Sequence, residues 1–197
     1  MRVSVIGTSG SGKTTFAGAL AGRLGVRHID LDAINWQPGW VGLNEHDPEE
    51  FRRRVSAAVA DDAWVSCGNY AAVRPLVLAR ATHLVWLDYP KALVMARVLK
   101  RSFHRAWTGE ELWPGTGNRE DFRRWLDREH PIRWAWDTYA PRRARYAPMM
   151  EDPALAYIER LRVTRPWEAE RLMARLANAG RPGKSVSSRF RRSQGPG

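Results

Sequence analysis

The sequence predicts an α/β fold in which parallel strands alternate with helices, and three observations carry that expectation. A β-branched run at 2–6 ends in a glycine and leads into GTSGSGKTT, where Gly7, Gly12, Lys13 and Thr14 have the spacing G-x-x-x-x-G-K-[ST] of a phosphate-binding loop. Further short apolar runs recur, separated by stretches of helical periodicity. Acids follow the second and fourth of these runs, at Asp30 with Asp32 and at Asp88. Together they describe a P-loop nucleoside-triphosphatase core with its chemistry at one sheet edge.

Each position of the loop has a physical reason. Gly7, Gly10 and Gly12 carry no Cβ, so the chain turns tightly with its N–H groups aimed at an anion. From about Lys13 the sequence reads as a helix whose unpaired N-terminal N–H groups and dipole favour phosphate. Lys13 is placed to reach the terminal phosphates of ATP as a point charge, and Thr14 to put its hydroxyl on Mg2+. Thr8, Ser9 and Ser11 complete the phosphate cradle, with Thr15 in the first helical turn.

The elements follow in order. Phe16, Leu20 and Leu24 form the apolar stripe of the helix after the loop, which Gly22 or Gly25 ends. A short strand at 26–29 delivers Asp30 and Asp32 to the edge that carries the loop. Trp36 and Trp40 flank a Pro38-Gly39 turn on a loop or short helix that could line a substrate pocket. Asp47 to Glu50 reads as a capping box with Pro48 at the first helical position, predicting a helix to about Asp62. Residues 64–68 are the third strand, followed by Asn69 and Tyr70, and Pro75 is expected to interrupt regular structure. Residues 83–87 are the fourth strand, and Pro90 opens a helix carrying Leu93, Val94, Val98 and Leu99. A mobile loop is expected over 102–118, then helices around Phe122, Trp125 and Leu126 and around Ile132, Trp134, Trp136 and Tyr139. A fifth strand is predicted at 156–161 and a last helix from Pro166 to before Gly180.

Length and composition narrow the class. A chain of 197 residues supports one well-buried α/β domain. Its formal charge of +11 attracts phosphorylated ligands and nucleic acid alike. The last eighteen residues hold five basic residues and no acid, and without them 27 basic stand against 21 acidic residues. That segment, 180–197, is rich in Gly, Pro and Ser and reads as a disordered basic tail. The single cysteine, Cys67, excludes an intrachain disulfide or a cysteine-based zinc site, and the five histidines form no metal-binding spacing. No apolar run is long enough to span a membrane and the N-terminus enters a strand at once, so a cytoplasmic protein is expected.

Mg2+ takes hard oxygen ligands, and Thr14 with Asp30 or Asp88 can supply them. Asp30 and Asp32 are two apart and face opposite ways on a continuing strand, whereas a turn at Leu31 brings them together. Different duties are expected: one orients metal-bound water, and the other hydrogen-bonds or deprotonates an acceptor hydroxyl. Helix capping is the competing role for Asp32.

Six segments carry a resemblance: GTSGSGKTT, HIDLDAINWQPGW, WVSCGNY, HLVWLDYP with RVLKRS, WAWDTYAPRRARY and IERLRVTRPWEAERL. Together they resemble the adenylate-kinase-like P-loop proteins labelled DNA topology modulation proteins, over nearly all of 2–179. The resemblance implies a kinase-like domain at 1–179, a three-layer α/β/α fold with a five-stranded parallel sheet, and a helical, arginine-bearing lid over about 102–133. It places phosphate binding on Gly7 to Thr15 and acceptor chemistry around Asp30, Asp32 and Trp36, with Asn69 and Tyr70 on the substrate side. Arg97 and Arg101 match the basic pair that contacts phosphates where the lid begins. The group's pattern has an acid before the glycine of GNY, and this chain has Cys67, whose sulfur does not replace an oxygen ligand for Mg2+. The expected activity is ATP-dependent phosphoryl transfer to a nucleotide or small hydroxyl-bearing metabolite. The alternative is a non-enzymatic or weakly hydrolytic ATP-binding protein that associates with DNA.

Overall fold

The computed structural model describes residues 1–119 and 130–179. In chain order the elements begin with β1 (Arg2–Gly7), α1 (Lys13–Leu24), β2 (Arg27–Asp30), α2 (Leu31–Asn35), β3 (Trp36–Gln37) and β4 (Val41–Gly42). Next come α3 (Leu43–His46), α4 (Pro48–Ala58), β5 (Trp64–Cys67), α5 (Arg74–Arg80) and β6 (His83–Leu87). The chain continues through α6 (Lys91–Thr108), α7 (Pro131–Met149), β7 (Glu159–Val163) and α8 (Pro166–Ala179).

Five of the strands form one parallel sheet in the order β2-β5-β1-β6-β7, and β3 pairs antiparallel with β4 as a separate two-stranded hairpin. A parallel sheet must be covered on both faces, which explains why its strands are continuous apolar runs. Val3 and Val5 pack with Phe16, Leu20, Leu172 and Leu176 on one face; Ile6 packs with Phe51, Val55, Trp64 and Trp86 on the other. Both tryptophans are fully buried, and the Trp64 Nε1–H is satisfied by the Val59 carbonyl at 3.1 Å. The chain leaves β1 toward one side of the sheet and later returns to its other side, so the C-terminal ends of β1, β5 and β6 border the crevice where α/β folds bind ligands.

Several boundaries differ from the sequence expectation, each for a local reason. Pro75 lies in the first turn of α5, where its missing N–H has no helical acceptor to lose, so it opens a helix instead of interrupting structure. Helix α6 runs through Thr108 into the stretch expected as a loop, because 102–108 contains no breaker until Gly109 terminates it at φ 61°. Helix α4 stops at Ala58, short of Asp62, since Asp61 and Asp62 are unfavourable at the negative end of a helix. The fifth sheet strand starts at Glu159, in register with His83, after a 3-10 turn at Pro153–Leu155 takes up the residues before it. The expected helix around Phe122, Trp125 and Leu126, part of the lid and the whole basic tail lie outside the described residues.

Candidate active site

The loop from Gly7 to Thr15 joins β1 to α1, and its outward carbonyls are held from three directions. Asn69 Nδ2 donates to the Gly7 carbonyl at 2.6 Å, Lys13 Nζ to that of Thr8 at 2.9 Å, and Arg97 Nη1 to that of Ser11 at 3.2 Å. The first intrahelical bond of α1 runs from Phe16 N–H to the Gly12 carbonyl, so the N–H groups of Lys13, Thr14 and Thr15 have no helical acceptor. Gly12 caps α1 without a side-chain bond. At Gly10, φ is +83°, and a Cβ there would collide with a Val98 methyl and lie 3.0 Å from the Val94 carbonyl. Only glycine lets the loop pack onto α6 this closely.

The cradle fits the phosphates of ATP. Among the described residues the buried Ser11 hydroxyl has no partner, an acceptor-seeking group inside the loop. Burial draws the Lys13 ammonium down to about 8, opposed by the nearby Asp32 carboxylate and reinforced by the Arg142 and Arg101 charges. A bound polyphosphate supplies the negative charge that this ammonium lacks.

Asp30 and Asp32 are brought together by a change of structure at Leu31. β2 ends at Asp30, α2 starts at Leu31, and Asp30 Oδ1 accepts from the Asp32 N–H at 3.0 Å. Asp30 therefore caps the helix and Asp32 projects from its first turn, the reverse of the competing role weighed for Asp32. Gly68, at φ +143°, makes this approach possible: a Cβ there would fall 2.5 Å from the Leu31 Cβ. Burial and then the Asp32 charge raise the Asp30 pKa above the ordinary carboxyl value. Tyr70 donates its hydroxyl to Asp32 Oδ1 at 2.7 Å and packs edge-on against Phe51, with ring centroids 5.0 Å apart. Burial and the same carboxylate raise the Tyr70 pKa, so this hydroxyl keeps its proton.

Cys67 stands in register with Asp30 and lies between His28 Nε2 at 3.4 Å and Thr14 Oγ1 at 3.7 Å. Burial pushes its thiol up to about 12, so it is a neutral, buried group rather than a thiolate ligand. The donors suited to Mg2+ beside the loop are thus the Thr14 hydroxyl and the Asp30 carboxylate, both hard oxygens.

Asp88, expected among the metal carboxylates, is engaged elsewhere. It is buried, and its carboxylate accepts from Arg143 Nε at 2.9 Å and from Arg162 Nη2 at 2.5 Å. Both oxygens are engaged by guanidiniums that tie α7 to β7, a structural role that competes with the metal role expected from the sequence. Asn69, expected on the substrate side, donates its Nδ2 to the loop, and among the described residues its buried Oδ1 has no hydrogen-bond partner. Arg97 lies over the Tyr89 ring at 5.0 Å, and Arg101, one turn further along α6, is close enough to influence Lys13. Both line a groove of about 320 Å3 with Lys100, His104, Arg105 and Glu110.

Trp36 ends α2, its N–H donating to the Asp32 carbonyl. Its ring lies 5.8 Å from Trp40 and 6.0 Å from Trp113, so a residue after α6 closes the aromatic cluster over the hairpin. Asn118 is buried and clamps the hairpin, accepting from Trp40 N–H at 3.0 Å and donating to the Gln37 carbonyl at 3.0 Å. Sequence reasoning missed Trp113 and Asn118 because nothing local links them to residues some eighty positions earlier.

Solved structures share this architecture. A shikimate kinase from Acinetobacter baumannii in complex with shikimate matches with a TM-score of 0.53 at 18% identity over 90% of each chain. The fold is that of the P-loop kinases. A shikimate kinase from Bacteroides thetaiotaomicron matches this P-loop kinase fold at 0.51 and 18% identity over 91% of this chain and 97% of its own. A sugar kinase from Janibacter sp. HTCC2649 matches at 0.50 and 17% identity over 92% and 98%. No family model matches the sequence and no curated protein matches it. Among the described residues, no helix is long and apolar enough to cross a membrane.

Proposed function

We propose that the protein is an ATP-dependent kinase that transfers the terminal phosphoryl group to a hydroxyl of a small metabolite. The observation that carries this reading is the juxtaposition of a phosphate loop with a paired acid. Lys13 feels the Asp32 carboxylate directly, and Asp32 is held by Tyr70 at 2.7 Å, so a phosphate-binding cation and a candidate base face one site. A switch or motor protein needs no oriented second carboxylate at that place.

The chain's residues divide the work. The loop N–H groups and Lys13 bind the triphosphate and hold its terminal phosphorus in place. Asp32 takes the proton of the acceptor hydroxyl as that oxygen bonds to phosphorus and the bond to the bridging oxygen breaks, releasing ADP. Tyr70 fixes the Asp32 oxygen that it touches, leaving the other for the acceptor. Arg97 and Arg101 lie beside the loop, where their charges offset negative charge accumulating on the transferred group. Thr14 and Asp30 would hold Mg2+, which when bound neutralises phosphate charge. Asn69 braces the loop instead of touching the acceptor. Trp36 forms the wall next to Asp32.

The finer kinship to the DNA topology modulation group belongs to this reading, since its most particular segments, at 31–40 and 68–70, lie around Asp32. Its cytoplasmic placement is part of the same proposal.

The test is a screen of purified protein with Mg-ATP against pooled nucleoside monophosphates, sugars and hydroxy acids, read by mass spectrometry. Phosphorylated product well above that of the Lys13→Ala protein is expected, the substitution lowering the rate about 10²- to 10³-fold. Product at the Lys13→Ala level throughout rejects the kinase reading. Salt-dependent DNA retention lost on deleting 181–197 would then favour the DNA-associated alternative.

A further inference from the structure

Among the described residues, the backbone groups along one side of β7 face no partner strand. β7 ends the sheet and pairs only with β6, in parallel register from His83 opposite Glu159 to Leu87 opposite Val163. In that ladder the Glu159 N–H donates to the Thr82 carbonyl, and the Val163 carbonyl accepts from the Asp88 N–H. Backbone groups alternate sides along a strand, so Glu159, Leu161 and Val163 bond β6 while Arg160 and Arg162 present N–H and C=O to the open side. The next outward donor, the Thr164 N–H, is taken by Glu168 at 2.7 Å, which closes that end. The open stretch is short and defined.

A trench of about 370 Å3 follows this edge, lined by Arg160, Arg162, Trp167, Arg171 and Arg175. Arg162 lies over the Trp86 ring at 4.7 Å on one face of β7, while α8, packed on Leu161 and Val163, brings Trp167, Arg171 and Arg175 to the other. These cations are underpaired. Arg160 donates to the neutral Asp152 carbonyl and Arg171 lies over Trp167 at 4.8 Å, and among the described residues neither is in an ion pair. Arg162 shares Asp88 with Arg143, and Arg175 meets the exposed Glu159 carboxylate at 3.0 Å. An open edge is a template for another strand, and its charge decides which strand. Two copies of this chain paired edge to edge would set Arg160 and Arg162 against the same arginines, and like charges across a ladder repel. The segment 180–197, with five basic residues and no acid, meets the same repulsion.

We propose that the open edge of β7 binds an extended acidic segment of another protein, which adds a strand to the sheet. Its backbone bonds the N–H and C=O groups of Arg160 and Arg162, and its side chains alternate between those two arginines on one face and Arg171 and Arg175 on the other. Carboxylates on either face accept from guanidinium forks, and the Trp167 ring, 48% exposed, offers apolar contact. Main-chain bonds supply affinity, and the two arginine rows select acids. The proposal concerns the sheet edge alone and is independent of the kinase reading.

The experiment uses the full chain and a blocked octapeptide alternating glutamate and threonine, titrated by calorimetry at low salt. Saturable binding is expected, weakened by added salt and about tenfold weaker for the glutamine–threonine counterpart. Arg171→Glu with Arg175→Glu, both exposed on α8, lowers the affinity about tenfold. A fully N-methylated peptide of the same sequence keeps every carboxylate and loses every backbone donor, and it is expected not to bind. Hydrogen exchange at the Arg160 and Arg162 amides slows about tenfold or more when the unmethylated peptide is bound. No binding of the acidic peptide, equal binding of its N-methylated form, or indifference to the α8 charge reversal overturns the proposal. Protection of those two amides in the protein alone also overturns it. Dependence of that protection on protein concentration marks a second copy, and its loss on deleting 181–197 marks the chain's own segment. A single-stranded oligonucleotide that binds as tightly as the peptide and protects the same amides makes the trench a general polyanion surface and overturns it too.

Discussion

The two halves of the cleft are built by opposite means. The phosphate side is a backbone structure: nine consecutive residues, Gly7 to Thr15, turn one strand into one helix, and side chains from elsewhere only pin its carbonyls. The proposed acceptor side is a side-chain structure, assembled from α2, the residues after β5, the β3–β4 hairpin and the segment after α6. A backbone site is general, because any triphosphate presents the same oxygens. A side-chain site is particular, because each group must be positioned by its own element, and there selectivity resides.

Substitutions on the two sides therefore separate in what they change, and the largest effect belongs to the loop. Gly10→Ala forces a side chain into a left-handed conformation against Val98 and the Val94 carbonyl. ATP affinity is expected to fall about 10- to 100-fold, as measured by calorimetry. Tyr70→Phe removes a charge-assisted bond on the other side and reverses the pattern. ATP affinity holds while kcat/KM for the acceptor drops about tenfold, and a drop in ATP affinity instead would join the two halves.

Asp88→Ala probes neither half. Without Asp88, Arg143 and Arg162 lose their shared partner, and denaturant unfolding is expected to show a loss of about 1–3 kcal/mol. Its Mg2+ dependence should match that of the unsubstituted protein, and an altered metal requirement would return Asp88 to the ligand set.

The smallest expected effect lies at the opposite end of the sheet. His83 lies between Thr82 Oγ1 and Glu159, and burial lowers its pKa, opposed by Glu159 and aided by the N-terminal amine and Arg175. The unfolded chain thus takes up a proton here at higher pH than the folded one, and stability is lost as pH falls through the ordinary histidine value. Tm measured from pH 7.5 to 5 should fall more steeply for the unsubstituted protein than for His83→Gln.

The same contrast explains what the sequence disclosed. The loop conformation and the turn that brings Asp30 and Asp32 together were legible because both depend on residues adjacent in the chain. The parallel sheet was legible because each strand is a short apolar run bounded by polar residues. The arginine partners of Asp88 were not legible, because an acid after a strand looks the same whether it faces a metal or two arginines, and those arginines lie 55 and 74 positions away. Pro75 misled because proline both ends and opens helices, and the outcome depends on whether the preceding N–H groups need acceptors. Trp113 and Asn118 join the hairpin only through tertiary packing.

The central claim is that Asp32 turns a triphosphate-binding loop into a phosphotransferase, and the partition of ATP between transfer and hydrolysis tests it most directly. Phosphorus NMR of Mg-ATP with an accepted substrate should show the terminal phosphoryl group on the acceptor. In Asp32→Asn the transfer should fall about 10²- to 10⁴-fold while the ATP analogue binds with unaltered affinity. Equal rates of phosphate release with and without acceptor, and the same in both proteins, would contradict the account.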